Sequence, residues 1–309
     1  MARYIVTGGT GFVGKALVRA IRSAGHEAVI ASRGKHPSYD EDKWIEYDLR
    51  DLSTVANIIQ AKPDGIYHLA WSSTPGLAEI DPANDIKTNL AGTTNLLESV
   101  ASNLAIPLVF VSSGGTVYGR TGNTMVSEDV ALAPISIYGM TKASTETYAN
   151  LYREKKGLDV RIARLSNPYG EEQSAAKLQG AASIFAKKIL NDEKIEIWGD
   201  GSVVRDYIHI EDAATGLMAI MLADKQDSDR PYIYNVGCGS GTRLIDLINS
   251  IEDRLQRRAH IRYENARPFD IPYNVLNVNK IEKELGWRAK LDLNTGLDRM
   301  IRSLMDSID

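Results

Sequence analysis

Short β-branched runs alternate with amphipathic stretches through the first half of the chain. Such runs are typical of strands, and stretches with apolar residues every three or four positions are typical of helices. The alternation predicts an α/β fold in which a parallel, doubly wound sheet carries helices on both faces. The predicted strands are Tyr4–Val6, Ala28–Ala31, Ile66–Leu69, Leu108–Ser112 and Val160–Ala163, and the predicted helices are Gly14–Ala24, Leu52–Ile59, Asn84–Ser102 and Tyr138–Lys156.

The pattern loosens after about residue 165. Segments rich in Gly, Asn and Pro, such as Asn167–Gly170 and Gly237–Gly241, separate shorter helices. The ligand crevice of a doubly wound sheet lies at the carboxyl ends of its strands, and we expect the later residues to cover it. The sequence therefore predicts a larger domain over residues 1–165 and a smaller α/β cap over residues 166–309, with an interleaved boundary because such chains often cross back.

Composition places the chain among ordinary globular proteins. Of its 309 residues, 43% are hydrophobic and 25% are charged, which argues against disorder and fits one large domain with a smaller annex. The formal net charge is -4, and no long basic run is present. The chain thus has no electrostatic reason to bind nucleic acid. A site for a diphosphate would have to be built from a few local arginines and backbone amides.

Cysteine and histidine usage argues against two kinds of site. The single thiol, Cys238, forms neither an internal disulfide nor a cysteine-based zinc site, and the five histidines show no metal-ligand spacing. A reducing cytoplasm is the simplest fit. The first strand begins near Arg3, which leaves no room for a signal peptide, and no apolar run reaches the ~20 residues that span a bilayer. We therefore expect a cytoplasmic protein with no metal and no membrane partner.

A glycine loop follows the first strand and opens the first helix. The segment TGGTGFVG has the spacing G-x-x-G-x-x-G. Glycine permits a tight turn, lets the backbone approach a pyrophosphate and lets the helix pack closely on the strand, while the helix N-terminus adds free N–H groups. At the first strand–helix junction this spacing indicates a Rossmann dinucleotide site rather than a plain glycine turn. The predicted cofactor contacts are Gly8, Gly11, Phe12, Val13 and Gly14.

The end of the second strand bears on the choice of cofactor. An acidic residue there would bind the adenosine ribose and favour NAD, but this chain has Ser32 followed by Arg33. A hydroxyl beside a guanidinium suits a 2′-phosphate, so the sequence favours NADP(H) over NAD(H). In the alternative, Arg33 only stacks on adenine or faces solvent. Asp48, followed by Leu49, is placed to accept the adenine amino group, unless it is a solvated turn residue.

Tyr138 and Lys142 lie four residues apart at the start of the fourth predicted helix. Residues with this spacing share one helix face. The Lys142 ammonium would lower the pKa of the phenol and hold the nicotinamide ribose. Tyr138 would then exchange a proton with a substrate oxygen while nicotinamide exchanges a hydride with the carbon. The alternative is a surface Tyr–Lys pair without a function.

Four longer segments carry a more specific signal. They are VFVSSGGTVYG (Val109–Gly119), RLSNPYG (Arg164–Gly170), WGDGSVVRDYIHIED (Trp198–Asp212) and RPFDIP (Arg267–Pro272). Together with the glycine loop and the Tyr–Lys pair, they resemble the extended short-chain dehydrogenase/reductase family over nearly the whole chain. Within that family the chain is similar to the UDP-galactose 4-epimerase group and the sugar-nucleotide 4-keto reductases.

The resemblance implies a sugar-nucleotide substrate and roles for several residues in binding it. Asn167 would bind the diphosphate region, and Arg205 and Arg267 would contact the phosphates. Asp206 and Asp270 would orient those arginines. The alternative is that these charged residues only form salt bridges between the domains.

Further roles concern the cofactor side and assembly. The resemblance implies that Asn89 holds the loop beside the cofactor and that Leu69 and Ala70 lie next to the cofactor. The adjacent His68 is more readily explained as a core residue than as a catalyst. Family members often pair two helices, and this predicts a homodimer through Asn84–Ser102 and Tyr138–Lys156.

One departure concerns the catalytic hydroxyl. The family usually places Ser or Thr where this chain has Gly114, to bind the sugar 4-oxygen beside the tyrosine. Ser113 and Thr116 flank that position, and we favour Ser113 as the replacement. In the alternative, Ser112 and Ser113 merely cap the end of the strand. A second departure is the Ser32–Arg33 pair, where the epimerase group usually carries an acidic residue.

These observations favour an NADPH-dependent reductase of an NDP-4-keto-6-deoxy sugar, since a reductase takes up fresh NADPH in each cycle. The alternative is a 4-epimerase with tightly bound NAD, which the later segments support. A dehydratase is disfavoured, because the family's Asp–Glu pair is replaced by Gly115 and Thr116. A non-catalytic dinucleotide-binding regulator is also disfavoured, because such a protein is expected to have lost Tyr138 or Lys142.

Overall fold

The computed structural model describes residues 1–34, 43–103, 106–171, 173, 180–224, 232–266 and 270–306. The strands are β1 (Arg3–Thr7), β2 (Glu27–Ser32), β3 (Trp44–Glu46), β4 (Gly65–His68), β5 (Leu108–Ser113), β6 (Val160–Leu165), β7 (Asn167–Tyr169), β8 (Lys194–Trp198), β9 (Val204–His209), β10 (Tyr232–Val236), β11 (Gly241–Arg243), β12 (His260–Glu264) and β13 (Tyr273–Asn274).

Helices separate most of the strands in the first half of the chain, and five more follow in the second half among the described residues. The helices are α1 (Phe12–Ser23), α2 (Val55–Gln60), α3 (Pro75–Ile80), α4 (Pro82–Asp85), α5 (Ala91–Ala101), α6 (Ile137–Lys156), α7 (Ala181–Leu190), α8 (Ile210–Leu222), α9 (Leu244–Leu255), α10 (Asn279–Leu285) and α11 (Leu293–Asp306). A 3₁₀ turn, Leu52–Thr54, precedes α2, and a π-helical turn, Ile86–Leu90, joins α4 to α5.

A seven-stranded parallel sheet forms the centre of the molecule, in the order β10-β6-β5-β4-β1-β2-β3. The predicted doubly wound α/β fold is confirmed. Successive side chains of a strand point to opposite faces, and β1 shows why both faces need helices. Tyr4 and Val6 pack with α1 and α8 on one face, whereas Ile5 packs with α2 and α5 on the other. Burial on both faces explains the near-continuous apolar runs in the sequence.

The five predicted strands are all present, each within two residues of the bounds read from the sequence. The short β3 was not predicted. The predicted helix Asn84–Ser102 is also more complex than its pattern suggested. It begins at Pro82, capped by Asp81, and contains the π-helical turn. Such turns often occur at functional sites.

The later half of the chain contributes to two cores. β10 extends the large sheet beside β6, and α8 packs against α1. The remaining strands form two small sheets, β11-β9-β13 with β7 on β9, and β12-β8, around a separate apolar cluster that includes α7, α9 and α11. The division at residue 165 stays a prediction. No helix within the described residues is long and apolar enough to cross a membrane.

Candidate active site

The glycine turn packs against its neighbours more closely than any side chain would allow. Gly8 has φ of 70°, and a Cβ there would lie 2.9 Å from the backbone nitrogen of Ala70. A Cβ at Gly14 would overlap the Gly8 carbonyl oxygen and lie 2.7 Å from Gly9 Cα. No side chain within the described part caps α1, so its first N–H groups stay available for an anion.

A cleft of about 340 Å³ opens beside this turn at the carboxyl ends of β1, β2 and β4. Most of the predicted cofactor contacts line it, whereas the side chains of Phe12 and Val13 pack against the core instead. Any contact from these two residues to a pyrophosphate would use their backbone N–H groups. The lining residues are Gly8, Thr10, Gly11, Ala31, Ser32, Arg33, Gly34, Tyr47, Asp48, Leu49, Arg50, Leu69, Ala70, Trp71, Ser72 and Thr88.

The Ser32 hydroxyl is engaged within the protein. It donates to the Gly34 carbonyl oxygen at 3.0 Å and accepts a hydrogen bond from Trp44 Nε1 at 2.9 Å. It therefore has no proton to offer a phosphate without breaking a bond. Two arginines line this end of the cleft: Arg33, and Arg50, which the sequence analysis missed.

Arg50 and Asp48 form a pair in the cleft wall. Arg50 Nε lies 3.0 Å from Asp48 Oδ1, and its Nη2 lies 2.6 Å from Oδ2. This bonding to Arg50 holds the pKa of Asp48 below its usual range. Both carboxylate oxygens of Asp48 already accept hydrogen bonds from Arg50. An adenine amino group would have to share this carboxylate with Arg50. The sequence signal for Arg50 was available, since it follows Asp48–Leu49 directly.

His68 is a core residue, as the sequence suggested. Its ring is fully buried, with Nδ1 2.8 Å from Thr7 Oγ1 and Nε2 3.0 Å from Thr93 Oγ1. Burial lowers its pKa to about 3, with a further lowering from Lys142. The imidazole therefore stays neutral at ordinary pH and is not a proton donor there.

Tyr138 and Lys142 lie on the first turns of α6, which Ser136 caps. Lys142 is buried and its Nζ donates to the Val111 carbonyl oxygen at 2.8 Å, which fixes the ammonium against the end of β5. Burial lowers the pKa of Lys142 to about 7, while Glu146 and Asp85 raise it.

The expected lowering of the phenol pKa is wrong for this structure. Burial raises the pKa of Tyr138, and the Asp85 carboxylate raises it further. The physical reason is that desolvation disfavours the phenolate. Tyr138 is therefore held as a neutral hydroxyl, the form required of a general acid.

Trp71 is a site residue that the sequence analysis did not single out. Its ring centroid lies 3.6 Å from Lys142 Nζ and 6.1 Å from the Tyr138 ring centroid. The negative face of the indole stabilises the ammonium. Because Trp71 also lines the cleft, it joins the cofactor region to the Tyr–Lys pair. Its only sequence signal was its position directly after Ala70.

Asn89 holds the loop beside the cleft, as the resemblance implied. Its Oδ1 accepts from Ser72 N at 2.8 Å and from Ser72 Oγ at 3.0 Å. Its Nδ2 donates to Asp85 Oδ1 at 2.7 Å and to Ser73 Oγ at 3.1 Å. Asn89 is fully buried, so it acts on the cofactor region through the loop and not by direct contact.

The turn after β5 distinguishes the two candidate hydroxyls. The Thr116 hydroxyl is buried without a hydrogen-bond partner among the described residues. Ser113 Oγ and Asn167 Oδ1 instead flank the open space beside Gly115, at 3.9 and 3.8 Å from a Cβ built there. A Cβ at Gly114 would lie 2.6 Å from Leu276 Cδ1, so the space that a side chain would take at that position is already filled. This arrangement supports Ser113.

Asn167 and Arg205 belong to the same small sheet, where Arg205 Nη1 donates to the Ile271 carbonyl oxygen at 2.6 Å. Asn167 Nδ2 donates to the Asp206 carbonyl oxygen at 3.0 Å. Arg205 lies beside Asn274 in register, and Asn274 Nδ2 donates to the Gly114 carbonyl oxygen at 3.0 Å. The small sheet thus brings Arg205 towards the turn that carries Ser113. Arg267 lies outside the described residues.

The two aspartates differ in role. The prediction that Asp206 orients Arg205 is wrong, because neighbouring residues of a strand point to opposite faces. Its buried carboxylate accepts instead from the backbone N–H groups of Cys238, Gly239 and Leu276, at 2.9 to 3.3 Å. Asp270 does act electrostatically on Arg205, whose pKa burial lowers while Tyr207 and Asp270 raise it.

A buried polar network supports the site from behind. Ser112 donates to Glu146 on α6, and Arg164 on β6 holds the same carboxylate, with Nη2 2.7 Å from Oε2. Arg164 Nη1 also donates to Tyr118 Oη at 2.8 Å. Because an unpaired buried charge is costly, the network fixes α6 against the strands.

These residues fit a nicotinamide dinucleotide. The turn is packed so tightly that a Cβ at Gly8 or Gly14 would overlap neighbouring backbone, and the uncapped N-terminus of α1 borders the cleft. When bound, the dinucleotide supplies or accepts a hydride. No group of three or more His, Cys, Asp or Glu side chains that could hold a metal ion is found within the described ranges.

Comparisons with known proteins agree with this geometry. The model of the NAD dependent epimerase/dehydratase family matches residues 4–237. The chain is 30% identical over 313 residues to dTDP-4-dehydro-6-deoxyglucose reductase of Escherichia coli, covering 97% of this chain and 96% of the relative.

Two solved structures are also similar. UDP-glucose 4-epimerase of Thermotoga maritima, solved with UDP-glucose, has a TM-score of 0.91 at 27% identity and covers 99% of this chain and 100% of its own. UDP-glucose 4-epimerase of Thermus thermophilus, solved in complex with NAD, has a TM-score of 0.90 at 27% identity, covering 98% of this chain and 99% of its own.

Proposed function

The chain belongs to the NAD dependent epimerase/dehydratase family, and we propose that it is an NADPH-dependent reductase of an NDP-4-keto-6-deoxy sugar. Its relatives include a dTDP-4-dehydro-6-deoxyglucose reductase and UDP-glucose 4-epimerases. All of these are enzymes that act on sugar nucleotides. Of these activities, we assign the chain that of the reductase, with NADPH as the reductant.

The observation that carries the proposal is the charge at the adenosine end of the cleft. Arg33 and Arg50 both line it, Arg50 in a pair with Asp48, and no acidic residue stands at the end of β2. Arginine binds phosphate through several donors at once, so this wall suits the 2′-phosphate that distinguishes NADPH from NADH. A reductase oxidises one cofactor molecule in every turnover. It must therefore bind a new molecule of the reduced form each time, which makes specific recognition of NADPH useful.

The chemistry assigned to the chain is proton delivery and orientation. Tyr138 would donate a proton to the ketone oxygen of the substrate, and NADPH, when bound, would supply the hydride. Lys142, fixed by the Val111 carbonyl oxygen, holds the nicotinamide ribose and favours the phenolate that forms. Ser113 hydrogen-bonds the same sugar oxygen and takes over the role of the missing hydroxyl at Gly114.

Substrate binding is assigned to the later half of the chain. Asn167 and Arg205 bind the diphosphate, with Asp270 acting on Arg205. Arg267 remains part of this proposal from the sequence alone. Local arginines are needed because the protein as a whole is acidic, with a formal net charge of -4.

A 4-epimerase is the second candidate, and the structural similarity favours it. The neighbour with a TM-score of 0.91 is a UDP-glucose 4-epimerase solved with UDP-glucose. In such a reaction Tyr138 would remove the hydroxyl proton and later return it, so the same pair would serve. The cofactor would then stay bound as NAD. A dehydratase receives no support from Thr116, whose hydroxyl is buried.

We also propose a cytoplasmic homodimer. Met140, Tyr148 and Leu151 form an exposed apolar stripe on α6, and Ile86 is exposed on the neighbouring helix. Apolar side chains at these spacings share a face, which suits pairing of two copies through these helices. The cytoplasmic location rests on the single cysteine.

The bound nucleotide and the reaction together test the proposal. Purified protein is denatured and any released dinucleotide is identified, and NADPH consumption is then measured with dTDP-4-keto-6-deoxyglucose. We expect little retained cofactor and faster turnover with NADPH than with NADH. Tightly held NAD, together with interconversion of UDP-glucose and UDP-galactose, would replace the reductase by the epimerase.

A further inference from the structure

Asp85 carries a buried carboxylate that the proposed reaction does not yet use. It lies at the end of α4, just before the π-helical turn, and is 1% exposed. Its Oδ1 accepts hydrogen bonds from Asn89 Nδ2 at 2.7 Å and from Ser73 Oγ. Its Oδ2 is buried with no hydrogen-bond partner among the described residues. A half-satisfied buried carboxylate is costly, so an electrostatic partner is expected nearby.

The two nearest arginines of the cleft do not fill that role. Arg33 and Arg50 border a second cleft of about 290 Å³ together with Asp85. Arg50 is committed to Asp48, at 2.6 Å. Among the described ion pairs, neither arginine reaches Asp85.

The other charged side chains near Asp85 lie on α6. α4 and the π-helical turn both pack against α6, which carries Tyr138, Lys142 and Glu146. Of these, Lys142 is the cation, and Glu146 is held by Arg164 on β6. From β4, His68 also faces Lys142, but it is neutral at ordinary pH.

We propose that Asp85 is a positioning residue whose buried charge keeps Lys142 protonated in the hydride-transfer site. This inference rests on the proposed function of Lys142 but not on which sugar nucleotide is converted. Ser73 and Asn89 hold the carboxylate in place. Asn89 and Ser73 thus do two things. They hold the loop beside the cofactor cleft, and they fix the Asp85 carboxylate that carries the charge opposite to that of Lys142.

The electrostatics of the site agree with this role. Burial lowers the pKa of Lys142 to about 7, and Glu146 and Asp85 oppose that lowering. The ammonium is therefore present below about pH 7 and is lost as the pH rises through that value. Without the charge of Asp85, the loss would occur at lower pH. Favouring the phenolate requires the ammonium, so activity would fall in the same pH range.

NMR of protein labelled with [ε-¹³C]lysine tests the inference without any assay of turnover. The Lys142 signal is identified by its absence in Lys142→Met. We expect its titration midpoint to move to lower pH by roughly one pH unit in Asp85→Asn, which keeps the shape of the side chain. The control is Asp81→Asn, an exposed carboxylate that borders the same second cleft and caps α4. It should leave the midpoint unchanged.

A second neutral variant, Asp85→Ser, covers the case in which Asp85→Asn does not fold. It removes the same charge and keeps an oxygen that can accept from Asn89 Nδ2, so the Lys142 midpoint should again move to lower pH. If the Lys142 midpoint in these variants equals that of the wild type, the inference is wrong. Neither result depends on whether the enzyme is a reductase, so a failure of the proposed function remains distinguishable.

Discussion

Burial governs the protonation of the residues at the centre of this site. Tyr138 and Lys142 share a helix face, yet each is pushed towards its neutral form, because charge is disfavoured away from water. A reductase benefits from the neutral phenol, which is the form that donates a proton. The same desolvation makes the ammonium depend on Trp71, Val111 and the nearby carboxylates.

Removing the phenolic hydroxyl tests the proton donor. Tyr138→Phe should lower kcat by at least ~100-fold, in line with the loss of a general acid. The control is Tyr148→Phe, which changes a tyrosine on the exposed face of the same helix. Steady-state assays with NADPH and the keto sugar measure both variants. Near-normal turnover in Tyr138→Phe would remove this residue from the chemistry.

The choice of cofactor can be tested at Arg33. Arg33→Ala should weaken NADPH binding by roughly ten- to hundred-fold, since it deletes charge-assisted hydrogen bonds to the 2′-phosphate. Binding of NADH should change little. Titration of both cofactors, monitored by fluorescence, checks the prediction against Arg288→Ala, an exposed arginine paired with Glu282. Equal losses for the two cofactors would leave Arg33 as a stacking residue.

Two of the elements that shape the site have irregular backbone, and in both places neighbouring segments pack closely together. The π-helical turn between α4 and α5 contains Asn89, and the buried Asp85 directly precedes it. The glycine turn brings the start of α1 against β1 and β4. In both places the backbone departs from the regular pattern, and polar groups of neighbouring segments meet.

The glycine turn gives a prediction at the level of the element. In Gly14→Ala the new Cβ would meet the backbone of Gly8 and Gly9, so α1 must move from β1. We expect a loss of roughly 1–3 kcal/mol in the free energy of unfolding, the usual cost of overpacking, and strongly weakened dinucleotide binding. Urea unfolding and NADPH titration measure the two effects.

The matched control is Gly76→Ala in α3, where a Cβ would meet no atom within 4 Å. This variant should keep its stability and its cofactor affinity. A Gly14→Ala protein that binds NADPH like the wild type would show that the close approach is dispensable.

At the level of the whole molecule, the outer face of α6 has no partner within the described chain. Tyr148 and Leu151 are both 43% exposed, and Met140 is 53% exposed. These residues are on the helix that carries Tyr138 and Lys142. Pairing of two copies there would brace both sites from outside, while the Glu146–Arg164 network braces each from within.

A charge on that face should separate the proposed dimer. Leu151→Lys places a lysine at a self-complementary contact, so two like charges would meet. We expect a monomer by analytical ultracentrifugation at concentrations where the wild type is a dimer. Leu222→Lys, at an exposed position on α8, serves as the control. A monomeric wild type would contradict the proposal directly.

Much of the fold and part of the site follow from the sequence. The five strands and the glycine spacing are local patterns, and each is read within a single segment. His68, Leu69 and Ala70 could be assigned because they end a buried strand next to the glycine turn. Arg50, Trp71 and Asp85 were missed. Arg50 and Trp71 only follow residues that had been assigned, Leu49 and Ala70. Trp71 and Asp85 gain their roles from α6, which comes much later in the chain.

The sequence by itself determined the doubly wound sheet, the dinucleotide turn and the pairing of Tyr138 with Lys142, because hydrophobic period and helical spacing act over a few residues. Only the tertiary structure decided which charges those residues feel. It assigned Asp206 to the backbone amides of Cys238, Gly239 and Leu276, set the ammonium of Lys142 over Trp71, and packed the segment that carries Asp85 against α6. Desolvation and Coulomb energies depend on distances through space, and residues far apart in the chain set those distances only when it folds.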